Sequence, residues 1–122
     1  FASVHHLVSS VRGQLRGDVD ALQLLAAVFP GGSITGAPKF RAMQVIAELE
    51  PVARDVYTGA IGYFDAAGGL DLSVAIRTAV QREDTLHLHV GAGIVADSDP
   101  DAEWRETEAK VGAFRECWGF GS

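Results

Sequence analysis

Cysteine, basic residues and long apolar runs are scarce in this 122-residue chain, and each scarcity argues against a class of protein. The single cysteine, Cys117, cannot form a disulfide within the chain and fits a reducing compartment, so we expect a cytoplasmic protein. Ten Lys and Arg residues against sixteen Asp and Glu give a formal net charge of -6, which argues against a nucleic-acid partner. The longest apolar run, LLAAVF, is far shorter than the roughly 20 residues that span a bilayer, so we expect no membrane partner.

The beginning of the chain lacks the features of a secretory signal. FASVHHLVSS has no basic region and no long apolar core. The chain starts with phenylalanine rather than methionine, inside an apolar segment that no turn precedes. We therefore expect residues 1–122 to be a piece of a longer protein, with a length that suits one domain or part of one.

The sequence does contain a succession of short elements separated by glycine and proline. A valine-rich stretch over residues 3–15 predicts a strand, and helical apolar spacing over residues 19–29 predicts a helix that Pro30 stops. Pro38 suits the first turn of a second helix, which ends before Pro51. Three strand-like runs and a last helix follow, namely TGAIGYF, LDLSVAIRTAV, TLHLHVGAGIV and, from near Ser98, PDAEWRETEAKVGAFRE. The short turns AAGG and QRED join these runs, so the predicted class is α+β, an antiparallel sheet with helices on one face.

The stretch GGSITGAPK, residues 31–39, combines backbone N–H groups, two hydroxyls and a lysine. A lysine in the first turn of a helix meets the positive end of the helix dipole, so a nearby negative group is expected. The stretch is not a nucleotide P-loop, because Ala37 and Pro38 separate the lysine from Gly36, and the later GAGIVA does not open a helix as a dinucleotide fingerprint must. Two interpretations remain: a bed for a carboxylate or other small anion, or a tight turn whose lysine is solvated.

Isolated charged residues elsewhere also allow two interpretations. Glu103, Glu106 and Lys110 fall within about 60° of arc on the last predicted helix. They are either Mg²⁺ ligands that face a cleft, or a Glu–Lys pair on a solvated face. Arg77, inside the apolar run SVAIRTAV, either points outward from a half-wet sheet or binds an anion with its guanidinium fork. His6 lies in a predicted strand, where a lone histidine is either structural or faces a site.

Six segments of the chain resemble the C-terminal part of the chorismate-utilising enzymes. They are VHHLVSSVRG, FPGGSITGAPKFRAM, YTGAIGYFD, LDLSVAIRTA, GAGIVADSDP and AEWRETEAK, and together they cover nearly the whole chain. The family includes anthranilate synthase component I, aminodeoxychorismate synthase component I, isochorismate synthase and salicylate synthase. The forms GSITGAPK and HHLVS are most similar to the aminodeoxychorismate branch, whereas anthranilate synthases more often have GTLSGAPK and MHLVS.

The resemblance implies a fold and an activity. The fold is the layered α/β/β/α arrangement of the family, with residues 1–122 as the C-terminal portion of a chorismate-binding catalytic domain. The activity is amination of chorismate to 4-amino-4-deoxychorismate for p-aminobenzoate and folate biosynthesis, with ammonia from a glutamine amidotransferase subunit or domain. The alternatives are anthranilate synthase component I or isochorismate synthase and, in a different class, a non-catalytic fragment or a binding module that retains the fold.

The resemblance also implies roles for individual residues. Mg²⁺ is expected at Glu106, with Glu103 close by through water, where it meets the ring carboxylate of chorismate. Arg77 and Tyr57 match positions that bind the enolpyruvyl carboxylate. Further substrate contacts are implied for Ser33, for the backbone of Gly91, Ala92 and Gly93, and for Lys110 near the metal. His6 matches the catalytic histidine beside the departing 4-hydroxyl group, and Lys39 is expected to tie the glycine loop to a neighbouring carboxylate.

Two features of the family have no counterpart in this sequence. They are the Pro-Ile-Lys-Gly-Thr motif, whose lysine is the nucleophile of the aminodeoxychorismate branch, and the family's other Mg²⁺-ligating glutamate. We therefore expect about half of an active site and no catalysis by residues 1–122 alone. We also expect these residues to self-associate, because apolar sheet faces and unpaired strand edges would lack their cover.

Overall fold

The computed structural model describes residues 8–119, apart from the side chain of Ala113, and forms four helices and four strands in that range. In chain order these are α1 (Ala21–Val28), α2 (Gly32–Thr35), α3 (Lys39–Leu49), β1 (Ala60–Phe64), β2 (Leu70–Val74), β3 (Ala79–Arg82), β4 (Thr85–Leu88) and α4 (Pro100–Trp118). The predicted α+β class is confirmed. Among residues 8–119, no helix combines the length and the apolar composition needed to cross a bilayer.

The three longer helices start where local capping chemistry places them. At α1, the Asp20 carboxylate accepts from the Gln23 backbone N–H at 2.8 Å, and the Gln23 side chain accepts from the Asp20 N–H at 2.9 Å. Helix α3 follows Pro38, which needs no N–H partner at that position. Helix α4 follows Asp99, whose carboxylate accepts from the Ala102 N–H at 2.8 Å. The three predicted helices are therefore confirmed, with boundaries shifted by one to two residues.

The strands form two antiparallel hairpins. Strand β1 pairs with β2 from Ala60 opposite Val74 to Phe64 opposite Leu70, and β3 pairs with β4 from Ala79 opposite Leu88 to Arg82 opposite Thr85. The two predicted turns, AAGG and QRED, lie at the hairpin tips. Antiparallel pairing and turn positions are therefore confirmed.

The predicted long strands are interrupted, and the sheet is divided in two. The run LDLSVAIRTAV breaks between β2 and β3 because Arg77 has a φ of 50°, a left-handed conformation that a strand cannot contain. The run TLHLHVGAGIV leaves the ladder after Leu88. Residues 8–15, predicted as part of a strand, have neither helix nor strand structure, since no described strand pairs with them. The rest of that predicted strand lies outside the described residues.

The described chain encloses very little core. Ala75, 1% exposed, is the one buried residue among those of residues 8–119 whose side chains are described. Large apolar side chains remain accessible on the helices and on the β1–β2 hairpin, among them Phe40, Ile61, Tyr63 and Trp104. A two-stranded sheet has two open faces, and no described helix packs closely on either hairpin. The structural order in this part of the chain therefore comes largely from helix caps, hairpin ladders and a network of loops around Ala75.

Candidate active site

A cavity of about 180 Å³ lies where the loops meet α2 and α4. The segment before β1, the break between β2 and β3, and the segment after β4 supply most of its wall. Its lining residues are Ser33, Ile34, Tyr57, Thr58, Ile76, Arg77, Val90, Gly91, Ala92, Gly93 and Lys110. All seven residues predicted as substrate contacts are in this set, although they come from five separate parts of the chain.

Arg77 reaches the cavity because the backbone turns there. Its left-handed φ ends the strand pattern, and the neighbouring Thr78 hydroxyl donates to the Ile76 carbonyl at 3.0 Å. Such a conformation costs free energy in a non-glycine residue and occurs often at functional positions. Among residues 8–119, no acidic side chain lies within ion-pair distance of the Arg77 guanidinium. This fork of N–H donors is therefore open to a carboxylate from outside the described chain.

Lys110 joins α4 to the opposite wall of the cavity. Its ammonium donates to the Gly91 carbonyl at 2.8 Å and pairs with a Glu106 carboxylate oxygen at 2.6 Å. The hydrogen bond from Lys110 lowers the pKa of Glu106, and the positive charges of Lys110 and Arg77 act in the same direction. Glu106 is therefore ionised at neutral pH. It does not line the cavity itself but contacts Lys110, which does.

The two glutamates predicted as metal ligands have different surroundings. The Glu106 side chain is 56% exposed and is held only by Lys110 among the described residues. Glu103 accepts from the Ser98 hydroxyl at 2.6 Å, while the Ser98 oxygen accepts from the Val95 N–H at 3.0 Å. Among residues 8–119, no group of three or more His, Cys, Asp or Glu side chains is arranged to hold a metal ion. One accessible, ionised carboxylate with a second on the same helix nevertheless fits Mg²⁺, which takes one or two carboxylates and completes its shell with water and substrate oxygens.

Tyr57 approaches the cavity from the segment before β1. Its hydroxyl lies so close to Gly91 that a Cβ atom at that position would be 2.8 Å from the Tyr57 oxygen. The ring packs against His89, with centroids 5.7 Å apart, and the Arg54 guanidinium lies 5.6 Å from the ring centroid. Glycine at position 91 is therefore required for the present position of the tyrosine.

The glycine stretch is more ordered than predicted. Residues Gly32–Thr35 form the single turn α2, and the Thr35 hydroxyl donates back to the Gly31 carbonyl at 3.2 Å, whereas Ser33 lines the cavity. The Lys39 ammonium donates to the carbonyls of Ala27 at 3.3 Å and Phe29 at 3.4 Å. The expectation that Lys39 binds a carboxylate is therefore wrong: its partners are carbonyls at the C-terminal end of α1, where a helix leaves carbonyl oxygens unpaired.

Comparison with known proteins gives the family. Residues 1–116 match the family of chorismate binding enzymes. The chain belongs to this family. Its sequence is 50% identical over 113 residues to anthranilate synthase component 1 of Acinetobacter calcoaceticus, an alignment that covers 93% of this chain and 23% of the relative. It is 53% identical over 107 residues to anthranilate synthase component 1 of Pseudomonas putida, which covers 88% of this chain and 22% of the relative.

A solved structure agrees with this membership in the chorismate binding enzymes. The crystal structure of a protein described as a 2,3-dihydroxybenzoate-specific isochorismate synthase, DhbC from Bacillus anthracis, superposes with a TM-score of 0.76 at 36% identity. The superposition covers 84% of this chain and 27% of that one. The chain thus spans less than a third of the length of that structure and less than a quarter of the length of the anthranilate synthases it matches.

Some of the predictions made from the sequence are confirmed, and others stay predictions. The predicted family and fold class are confirmed, the aminodeoxychorismate branch stays a prediction, and the structure brings the seven predicted substrate-contact residues to one cavity. Their roles, and those of Glu103 and Glu106, stay predictions. His6, the predicted catalytic residue, lies outside the described residues, so its role also stays a prediction. Sequence reasoning missed Arg54, although its spacing from Glu50 and from Tyr57 places it near the same helix end.

Proposed function

We propose that the whole protein binds chorismate in the cavity between α2 and α4 and replaces a ring hydroxyl with an amino group. In this proposal, residues 1–122 are the C-terminal portion of its chorismate-binding catalytic domain. The observation that carries it is the convergence of two cationic side chains, Arg77 and Lys110, on one cavity beside the ionised carboxylate of Glu106. Chorismate carries two carboxylates, one on the ring and one on the enolpyruvyl arm, so its charges complement this arrangement.

The residues of the cavity divide the work of binding. The Arg77 guanidinium donates two hydrogen bonds to the enolpyruvyl carboxylate, with the Tyr57 hydroxyl beside it. Backbone groups of residues 91–93 and the Ser33 hydroxyl orient the ring, and Lys110 keeps the 91–93 turn against α4. His6 moves a proton at the departing hydroxyl group.

The carboxylates of Glu106 and Glu103 would hold Mg²⁺ at the ring-carboxylate end of the substrate. When bound, Mg²⁺ supplies positive charge that anchors the ring carboxylate and favours departure of hydroxide. The ionised state of Glu106 supports this assignment, because a metal ligand must be deprotonated. Ammonia comes from a glutamine amidotransferase subunit or domain.

Two products are supported by different observations. The forms GSITGAPK and HHLVS favour 4-amino-4-deoxychorismate, formed with loss of water, as in p-aminobenzoate and folate biosynthesis. The names of the relatives at about half identity favour anthranilate, which carries its amino group on the ring carbon next to the carboxylate-bearing carbon and forms with loss of pyruvate and water. We take 4-amination as the proposed reaction and anthranilate formation as the second candidate.

The test is product analysis on the whole protein with chorismate, an ammonium salt and Mg²⁺. Liquid chromatography with mass detection separates 4-amino-4-deoxychorismate, anthranilate and isochorismate. We expect consumption of chorismate with 4-amino-4-deoxychorismate as the product. Anthranilate would select the second candidate, isochorismate would overturn amination, and unchanged chorismate in the presence of all three components would overturn the proposed function.

A further inference from the structure

The Tyr57 ring contacts two groups that the proposed reaction does not use. Arg54 stands over one part of the ring at 5.6 Å from its centroid, and His89 packs at 5.7 Å with the two rings tilted by 56°. The hydroxyl end of the same ring lies in the substrate cavity beside Gly91. Any movement of Arg54 therefore changes a contact made by a residue of the cavity wall.

Arg54 is itself held in a fixed orientation. Its Nε donates to one Glu50 carboxylate oxygen at 2.8 Å and its Nη2 donates to the other at 2.5 Å. Glu50 is the C-cap of α3, so this fork is anchored to the end of a helix. The Arg54 side chain is 22% exposed, and its remaining Nη1 is buried with no hydrogen-bond partner among residues 8–119. A guanidinium with two nitrogens fixed and its plane next to an aromatic ring suits a cation–π contact.

The backbone around Tyr57 fixes where the residue lies but not how its ring is turned. The Tyr57 N–H donates to the Arg54 carbonyl at 2.9 Å, and the Thr58 N–H donates to the Ala75 carbonyl at 2.8 Å. Ala75 is the buried residue two positions before Arg77, so these bonds link the Tyr57 segment to the Arg77 segment. No hydrogen bond of the Tyr57 hydroxyl to a described residue fixes the ring, which leaves its orientation to Arg54, His89 and the glycine at position 91.

We propose that Arg54 is a positioning residue: held by Glu50, it keeps the Tyr57 ring turned so that the hydroxyl stays in the substrate cavity. This inference rests on the proposed function for its substrate. The Glu50–Arg54 pair then does more than stabilise the C-terminal end of α3, since it also fixes the Tyr57 side chain before the substrate binds. The hydrogen bond between the two side chains and the opposite charge of each partner lower the pKa of Glu50 and raise the pKa of Arg54. Both groups therefore stay charged at neutral pH.

The test is a double-mutant cycle in the whole protein, with kcat and KM for chorismate as readouts. Arg54→Met keeps side-chain length and removes the charge and the fork. We expect it to raise KM more than it lowers kcat, with a total loss in kcat/KM of about tenfold. In a Tyr57→Leu background, which has no ring to position, the same substitution should change kcat/KM by less than about twofold. Arg54→Lys, which keeps the charge without the planar fork, should give an intermediate loss.

The matched control is Arg41→Met on α3, where Arg41 pairs with Glu48 at 3.3 Å and does not line the cavity. It should leave both constants unchanged. If Arg54→Met lowers kcat/KM equally with and without the Tyr57 ring, the inference is overturned, because Arg54 then acts on the fold alone. Wild-type kinetics for Arg54→Met would also overturn it. If that variant does not fold, the same cycle with Arg54→Lys decides.

A second readout is independent of chorismate. Fluorine NMR of the protein labelled with 3-fluorotyrosine, with resonances assigned by Tyr57→Phe and Tyr63→Phe, should show the Tyr57 signal moved by Arg54→Met and the Tyr63 signal unmoved. A Tyr57 signal that stays in place would overturn the inference. Absence of chorismate turnover by the wild-type protein would overturn the proposed function instead, while the NMR result still decides whether Arg54 positions the ring.

Discussion

At the scale of single residues, the charge of Glu106 is the feature on which the metal assignment depends. We expect Glu106→Gln in the whole protein to leave the fold intact and to remove Mg²⁺-dependent turnover, because the side-chain volume is nearly unchanged while the anionic oxygen is gone. Steady-state kinetics at several Mg²⁺ concentrations measure this. Loss of even an outer-shell metal partner typically costs 10–100-fold, so a variant with more than about a tenth of normal turnover would show that Glu106 does not ligate the metal.

The control for that variant is on the same helix. Glu108 pairs with Arg115 at 3.5 Å and does not line the cavity. Glu108→Gln removes the same charge from α4 and should leave the kinetics unchanged. An equal loss in both variants would indicate that the charge of the helix matters, rather than the position of one carboxylate.

Individual residues also show why part of the site could not be predicted. Motif resemblance named Ser33, Tyr57 and Arg77, because residue types at fixed spacing survive in the sequence as a readable pattern. It did not show the partners of Lys39, since carbonyl oxygens at a helix end carry no sequence signal. Arg54 was missed because its contact with the Tyr57 ring depends on the turn of the backbone between the two residues, which the sequence does not show.

At the scale of elements, the β1–β2 hairpin makes a sharp prediction about Gly62. A Cβ atom at this position would overlap the carbonyl oxygen of Asp71 across the ladder, and a backbone atom cannot move aside without breaking the pairing. We expect Gly62→Ala to destabilise the whole protein by about 1–3 kcal/mol, measured as a lower free energy of unfolding in urea. Unchanged stability would contradict the register of this hairpin.

Gly112 supplies a control of opposite sign. It lies inside α4, and nothing stands within 4 Å of a Cβ atom built there. Gly112→Ala should therefore stabilise the helix by about 0.5–1 kcal/mol, because alanine loses less backbone entropy on folding. Opposite shifts in the two variants would separate the steric effect at Gly62 from a general effect of adding a methyl group.

Elements were predicted well where local chemistry defines them and poorly where the backbone departs from its pattern. Pro38 marks a helix start in the sequence, and the turns AAGG and QRED mark the hairpins, whereas the N-caps Asp20 and Asp99 are shown by the structure. The division of the sheet at Arg77 could not be predicted, because SVAIRTAV has the apolar alternation of one continuous strand. Only the left-handed φ of Arg77 interrupts it, and arginine, unlike glycine, does not signal such a conformation.

At the scale of the whole molecule, the described chain leaves most of its apolar side chains in water. Leu49, Ile61, Tyr63, Ile94 and Trp104 are each at least half exposed. We expect residues 1–122, prepared alone, to self-associate, since exposed apolar faces and open strand edges favour contact between copies. Light scattering at micromolar concentration measures this. A monodisperse monomer with a cooperative melt would show that the chain covers these surfaces by itself.

The binding of chorismate by Arg77 is the central claim, and the kinetics of Arg77→Lys in the whole protein test it most directly. The matched control is Arg82→Lys, since Arg82 pairs with Asp55 on the surface and does not line the cavity. A lysine keeps the charge but cannot form the bidentate fork, so we predict a loss of about 2–4 kcal/mol of transition-state stabilisation, measured as kcat/KM for chorismate. Arg82→Lys should behave as the wild type. Wild-type kcat/KM in Arg77→Lys would contradict the account and assign Arg77 a structural role.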